Sequence, residues 1–331
     1  MELTTVWFIL IGVLWAGYFL LEGFDFGVGI LLPVLGRDDR SRRLAINTIG
    51  PVWDANEVWV LVAGGATFAA FPEWYATLFS GFFLPLLLIL VALIVRGLAF
   101  EYRGKRDSAQ WKRGWDLAIF WGSAVPAVLW GVAFANILRG VPIDAQHEYT
   151  GGFFNLLNPY ALLGGLTTFL LFTLHGAVFL ALKTDGPMRT EAGRLAARLA
   201  VVTVPVAAGF LLWTGVTHTD AIGIAISVLA AVALLGAVWF TRARREGLAF
   251  TATGATILLA VAALFVTLFP NVMPSTTDAA FSLTVTNASS TPYTLKVMTW
   301  VAVFFTPIVL IYQGWTYWVF RKRLKLSDIP A

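Results

Sequence analysis

The chain contains no cysteine. Disulfides, thiolate metal centres and cysteine-held iron–sulfur clusters are thereby excluded. Charge is also scarce: Asp, Glu, Lys and Arg make up 13% of the 331 residues, where a soluble domain carries about 25%. Histidine occurs at only three positions, His147, His175 and His218. Soluble-enzyme signatures are missing as well. No Walker A loop, no glycine fingerprint opening a βαβ unit and no HExxH pair is present.

What is there instead is apolar: 58% of the residues are hydrophobic. A bilayer span needs about 20 apolar residues. Spans are expected near 6–35, 49–71, 76–100, 114–139, 157–183, 197–218, 222–241, 249–270 and 293–320. The sequence thus predicts an all-α polytopic membrane protein, one integral-membrane domain over residues 1–331 with nine continuous transmembrane helices. Of the 23 Lys and Arg residues, all but Arg139 and Lys296 fall in alternate connections or at their edges. The positive-inside rule places those connections in the cytoplasm, with the N-terminus outside and the C-terminus inside. The net charge of +4 follows from this asymmetry. Orientation and contact with anionic lipid account for it, and no nucleic-acid partner is implied. Met1-Glu2 lacks a basic signal-peptide start and the first span is too long for one, so it is expected to be retained. A short surface helix is expected from Met188 to Ala197.

Small residues mark close helix approach at Gly23, Gly27 and Gly29, at Ala63-Gly64-Gly65-Ala66 and at Gly164-Gly165. Many of the 14 tryptophans, among them Trp7, Trp74, Trp111, Trp115, Trp315 and Trp318, lie near span ends, as interfacial anchors do, while Trp53, Trp59, Trp121, Trp130 and Trp213 lie further in, where they can pack core or cofactor surfaces.

Ionisable residues inside a bilayer are costly and need a reason. Glu22 and Asp25 lie three apart on one face of the first span, and Asp54 and Glu57 three apart at the start of the second. Glu101 closes the third span and Asp116 opens the fourth. These carboxylates gather near the cytoplasmic face, and such a chain can pass protons through water. Three of them have a plainer role open to them: Asp54 as a cap of its helix, Glu101 as a partner of Arg103, and Asp116 as a partner of Arg113. His175 stands alone within the fifth span. It is open to three roles: a five-coordinate haem ligand, a proton relay or a hydrogen-bonded core residue, with the last as the default. No metal ligation by this chain is expected.

At Gly23-Phe-Asp-Phe-Gly-Val-Gly and Pro51-Val-Trp-Asp-Ala-Asn-Glu-Val-Trp the chain resembles subunit II of the cytochrome bd-type quinol oxidases. Gly97-Leu-Ala-Phe-Glu-Tyr-Arg, Phe269-Pro-Asn-Val-Met-Pro-Ser-Thr and Thr294-Leu-Lys-Val-Met-Thr-Trp extend the resemblance in order to the last span. The resemblance implies two helix bundles plus an extra helix in a bacterial cytoplasmic membrane. It implies a haem-bearing partner, subunit I, holding two b-type haems, haem d and the quinol-oxidising loop. A small accessory membrane subunit can accompany the pair, and this chain can hold a structural quinone or lipid. The implied reaction of the complex is quinol oxidation with reduction of O2 to water, generating proton motive force. The implied cytoplasmic proton path uses Asp25, Asp54 and Glu101, the last standing where some members have Asp. Glu57 stands where some members have uncharged Gln. Two other classes compete: a proton-coupled secondary transporter, which would show broken helices in repeated halves, and a purely structural scaffold.

Overall fold

The computed structural model describes residues 2–217 and 221–330; His218 lies outside them. Apolar runs become helices because only a helix satisfies every backbone N–H and C=O within one segment in lipid. In chain order the helices are α1 (Leu3–Leu35), α2 (Asp39–Ile49), α3 (Trp53–Ala70), α4 (Pro72–Gly81), α5 (Phe83–Tyr102), α6 (Ala109–Arg139), α7 (Gly152–Asn155), α8 (Pro159–Lys183), α9 (Gly186–Thr217), α10 (Ala221–Arg242), α11 (Glu246–Leu268) and α12 (Pro292–Val319). Among the described residues, eight helices are long and apolar enough to cross a membrane. The protein is therefore a multi-pass membrane protein.

Three details differ from the sequence expectation. The span expected at 49–71 begins only at Trp53, because the basic connection before it forms its own helix, α2, which ends at Ile49. Asp38 opens α2 with a capping box: its carboxylate accepts the Ser41 N–H, and the Ser41 hydroxyl accepts the Asp38 N–H. The 18 residues of α3 reach about 27 Å, and Asp54, Asn56 and Glu57 make its first turns polar, so it is not among the eight. The span expected at 76–100 is interrupted at Phe82, where α4 hands over to α5. Conversely, the surface helix expected from Met188 to Ala197 is the first part of one 32-residue helix, α9.

Helices α8, α9, α10 and α11 form a closed ring, each packing on the next and α11 returning to α8. On the other side, α1 packs on α3 and α6, and α6 on α5. The two halves meet where α1 and α6 press against α8. Glycines set that seam. A Cβ on Gly27 would lie 2.7 Å from the Gly176 Cα, and one on Gly131 would lie 2.8 Å from the Gly164 carbonyl carbon. No side chain larger than hydrogen fits, so the helix backbones touch. Gly64 and Gly65, by contrast, have nothing within 4 Å. They sit on an exposed stripe of α3 that runs from Asp54 through Val58, Leu61 and Val62 to Phe68. Helix α12 touches only α1 and α3 appreciably and exposes most of its surface.

The two long connections knit together at one end. The Val141 N–H donates to the Pro274 carbonyl and the Val141 carbonyl accepts the Thr276 N–H, and 271–284 carries a two-stranded antiparallel hairpin, Asn271–Met273 with Leu283–Thr284. At the basic end the C-terminal segment is tied down. Leu324 brackets the α8–α9 connection through Lys183 and Asp185, and Arg40 and Arg43 of α2 donate to the Ile329 and Pro330 carbonyls.

Candidate functional site: a buried carboxylate–guanidinium cluster

Helix α1 continues unbroken through Glu22 and Asp25, because its neighbours supply what the two carboxylates need. Arg96 of α5 points inward and is fully buried, 0% exposed, as is Glu22. One guanidinium nitrogen, Nη2, donates to both Glu22 and Glu57, the latter at 3.0 Å. The cation also lies 4.7 Å from the centre of the Phe26 ring and 5.9 Å from that of Phe100, within reach of cation–π attraction. Gly122 of α6 makes room for it: a Cβ there would lie 2.6 Å from the Arg96 Cβ. Glu57 is the member of this trio that reaches outward, its side chain 21% exposed.

Asp25 sits one turn beyond Glu22 and is equally buried. Its Oδ2 accepts the Asn56 amide at 2.7 Å. Asn56 Oδ1 in turn accepts the Tyr317 hydroxyl at 2.8 Å and the Gln313 amide at 3.3 Å, and Gln313 Oε1 accepts the Trp59 indole N–H at 2.9 Å. A polar chain thus runs from α12 through α3 to α1. Four atoms of the cluster have no protein partner among the described residues: Glu22 Oε2, Asp25 Oδ1 and Arg96 Nε and Nη1. One guanidinium balances one carboxylate, so with Glu22, Asp25 and Glu57 around it the site has room for protons or further compensating charge.

Of the sequence-predicted residues, the fold brings Asp25, Glu57 and Glu22 together. Asp54 and Glu101 it does not: both are exposed, and neither has a hydrogen-bond or ion-pair partner among the described residues. Asp54 stands at the base of the α3 stripe, and Glu101 at the end of α5. The expected pairings change too. Arg103 does not meet Glu101; it grips Asp116 at 2.6 Å and Asp39 at 2.8 Å. Arg42, not Arg113, is the second partner of Asp116, at 3.0 Å. Together with Lys112 these residues lock α2 to the ends of α5 and α6. Burial works against the Asp39 carboxylate, but hydrogen bonds from Arg103 and Lys112 outweigh it and hold its pKa below the ordinary carboxylate value.

His175 has both ring nitrogens engaged. Nε2 lies 3.2 Å from the Leu20 carbonyl and Nδ1 lies 2.7 Å from the Thr253 hydroxyl. The ring is stacked on Phe250 at 4.6 Å. Both ring nitrogens are hydrogen-bonded within the protein, as the core-residue role requires.

Arg96, Asn56, Gln313 and Tyr317 carry the site and were not singled out by sequence. For Arg96 the signal existed: a lone cation inside the apolar run 83–100. For the others, a polar residue within an apolar span was the only sign.

The family model for cytochrome bd terminal oxidase subunit II matches residues 3–320. Cytochrome bd ubiquinol oxidase subunit 2 of Bacillus subtilis is 43% identical over 332 residues, covering 99% of this chain and 98% of that protein. Cytochrome bd-I ubiquinol oxidase subunit 2 of Escherichia coli K12 is 38% identical, covering 98% and 96%. Among solved structures, a chain of the bd oxidase from Geobacillus thermodenitrificans superposes with a TM-score of 0.77 at 19% identity, covering 97% of this chain and 100% of that one; this shows a shared fold. Matches of this identity over nearly the full length place the protein: it belongs to the family of cytochrome bd terminal oxidase subunit II and is a subunit of a respiratory terminal oxidase.

Proposed function

We propose that this chain scaffolds a haem-bearing subunit I and conducts protons from the cytoplasm to it. In the balanced reaction two quinols give two quinones, four electrons and four protons released outside. One O2 takes the four electrons and four protons from inside to give two waters, and the complex thereby generates proton motive force. The haems, two of b type and one of d type, belong to subunit I on this reading, and supply the electron transfer and oxygen chemistry. A structural quinone or lipid and a small accessory subunit can complete the assembly. The setting is the bacterial cytoplasmic membrane, with α3 as a ninth span, the N-terminus outside and the basic connections and C-terminus inside.

The observation that carries the proton role is the cluster itself. Glu57 reaches the surface, Arg96 links it to Glu22, and Asp25 lies one turn along α1 with an unpartnered oxygen. Asp54 and Glu101 fit as an antechamber on the exposed face of α3 and α5. Gly64 and Gly65 on that face leave space for another helix to approach, so subunit I docking there would enclose both carboxylates.

The test is Asp25→Asn in the assembled complex, with haem content confirmed by spectrum and quinol-driven O2 uptake measured. Asn keeps an oxygen for the Asn56 amide but cannot carry the proton. Turnover is expected to fall by about 10²-fold, the lower end of what losing a positioned proton carrier does. Undiminished turnover would leave only the scaffold role.

A further inference from the structure

At the basic end of the α8–α11 ring lies a cavity of about 590 Å³, away from the carboxylate cluster. It opens where α8 and α10 end and α9 and α11 begin. Its floor is apolar, formed by Val178, Ala181, Ala196 and Ala249. Its rim is basic, with Arg189, Arg194, Arg242 and Arg244.

The two carboxylates at the rim are already engaged. Glu246 accepts from Arg189 at 2.8 Å and has Arg323 at 3.8 Å. Asp185 accepts the Gly186 N–H at 2.9 Å and lies 4.0 Å from Arg189. Arg194, Arg242 and Arg244 meet no carboxylate among the described residues. Thr241 lines the same cavity, with its hydroxyl shielded from solvent and without a partner among the described residues. The first-turn N–H groups of α9 and α11 add two positive helix ends.

The backbone is a further clue. Arg244 has φ of 55°, in the left-handed region. The Arg245 N–H bonds back to the Phe240 carbonyl and the Arg244 N–H to that of Thr241, so Arg244 occupies the helix-ending position that glycine fills without strain. An arginine there places a charge at the cavity rim at the expense of backbone ease.

We propose that this cavity binds the phosphate of a net-anionic phospholipid. The unpaired arginines would hold the phosphodiester, and the acyl chains would follow the apolar floor between the helices. Three uncompensated cations exceed what a zwitterionic head group neutralises, which selects a lipid of net negative charge.

The test uses the assembled complex in lipid nanodiscs of phosphatidylcholine titrated with phosphatidylglycerol. The readout is hydrogen exchange of the backbone amides of 241–249. Phosphatidylglycerol is expected to slow exchange there in the wild type. Arg194→Gln and Arg244→Gly should each weaken the apparent affinity about fivefold, the effect of one arginine near an anionic surface. Arg244→Gly relieves the backbone, so its loss of lipid response cannot be put down to misfolding. The proposal fails if exchange is the same with and without phosphatidylglycerol, or if both variants titrate like the wild type. It fails too if millimolar inorganic phosphate in pure phosphatidylcholine discs gives the full protection, which would assign the site to free phosphate.

Discussion

Arg96→Met is the perturbation that most directly interrogates the cluster. Methionine fills much of the same volume between Phe26 and Phe100 but removes the cation. Glu22, fully buried, and Glu57, mostly buried, then face each other uncompensated. Removing one partner from a buried ion pair costs about 3–5 kcal/mol, a fall of roughly 150- to 5,000-fold in the folded-to-unfolded ratio. Glu22→Gln alone should cost less, because Arg96 keeps Glu57 at 3.0 Å. The double variant Glu22→Gln/Arg96→Met should recover much of the loss, since the fully buried carboxylate is gone and the one left without its cation, Glu57, reaches the surface. The assay is equilibrium unfolding of the purified complex in mild detergent with increasing SDS, followed by near-ultraviolet circular dichroism. Coupling between the two sites should be at least about 1.5 kcal/mol and should oppose simple addition. If Arg96→Met costs less than about 1 kcal/mol, or if the single costs add, the cluster is not the ionic unit described.

Three further outcomes are expected. Gly27→Ala should destabilise by about 1–3 kcal/mol, because its Cβ would overpack against Gly176, whereas Gly209→Ala in α9, with open space around it, should be neutral or slightly stabilising; the same unfolding assay separates them. Asp39 has its pKa lowered in the folded state, so its contribution is present above the ordinary carboxylate pKa of about 4 and is lost as pH falls below it. The stability difference between wild type and Asp39→Asn should therefore shrink from pH 5 toward pH 2–3, about two units below the unfolded value, and a constant difference would refute the ion-pair account. Because the chain has no cysteine, single cysteines report topology directly. In intact cells a membrane-impermeant maleimide should label Glu148→Cys and leave Asp107→Cys unlabelled; the reverse pattern would invert the orientation.

The helices were legible because lipid removes alternatives: a long apolar run can satisfy its backbone in only one way. The carboxylate pairs Glu22/Asp25 and Asp54/Glu57 were legible as polar residues at helical spacing in apolar surroundings. What could not be read was azimuth. Asp54 and Glu57 share one helix and lie three residues apart, yet Glu57 turns to Arg96 while Asp54 turns outward, and only the packing of α3 against α1 decides which. The positive-inside rule makes Arg96 one more inner-side charge, because it scores position along the chain, not direction. Partners such as Gln313 and Tyr317 come from α12, more than 250 residues from Asn56, and no local pattern encodes that meeting. The interruption at Phe82 leaves no mark in the sequence, because the apolar run continues through it.

The composition of the cluster bears on why it exists. A buried ion network is a poor way to stabilise a fold, since replacing it with packed apolar side chains is often neutral or stabilising. The surrounding helices have no need of it: the seam between the halves is closed by glycine contacts, and α2, α5 and α6 are locked separately through Asp39, Arg103 and Asp116. A scaffold alone could therefore fill the space between Phe26 and Phe100 with leucine. What leucine could not do is accept a proton at Glu57, where the cluster meets the surface, and offer two further carboxylates within one helical turn of each other behind it. That difference is what the Asp25→Asn turnover measurement isolates, because it removes proton capacity at one atom while leaving the Asn56 hydrogen bond and the glycine seam in place.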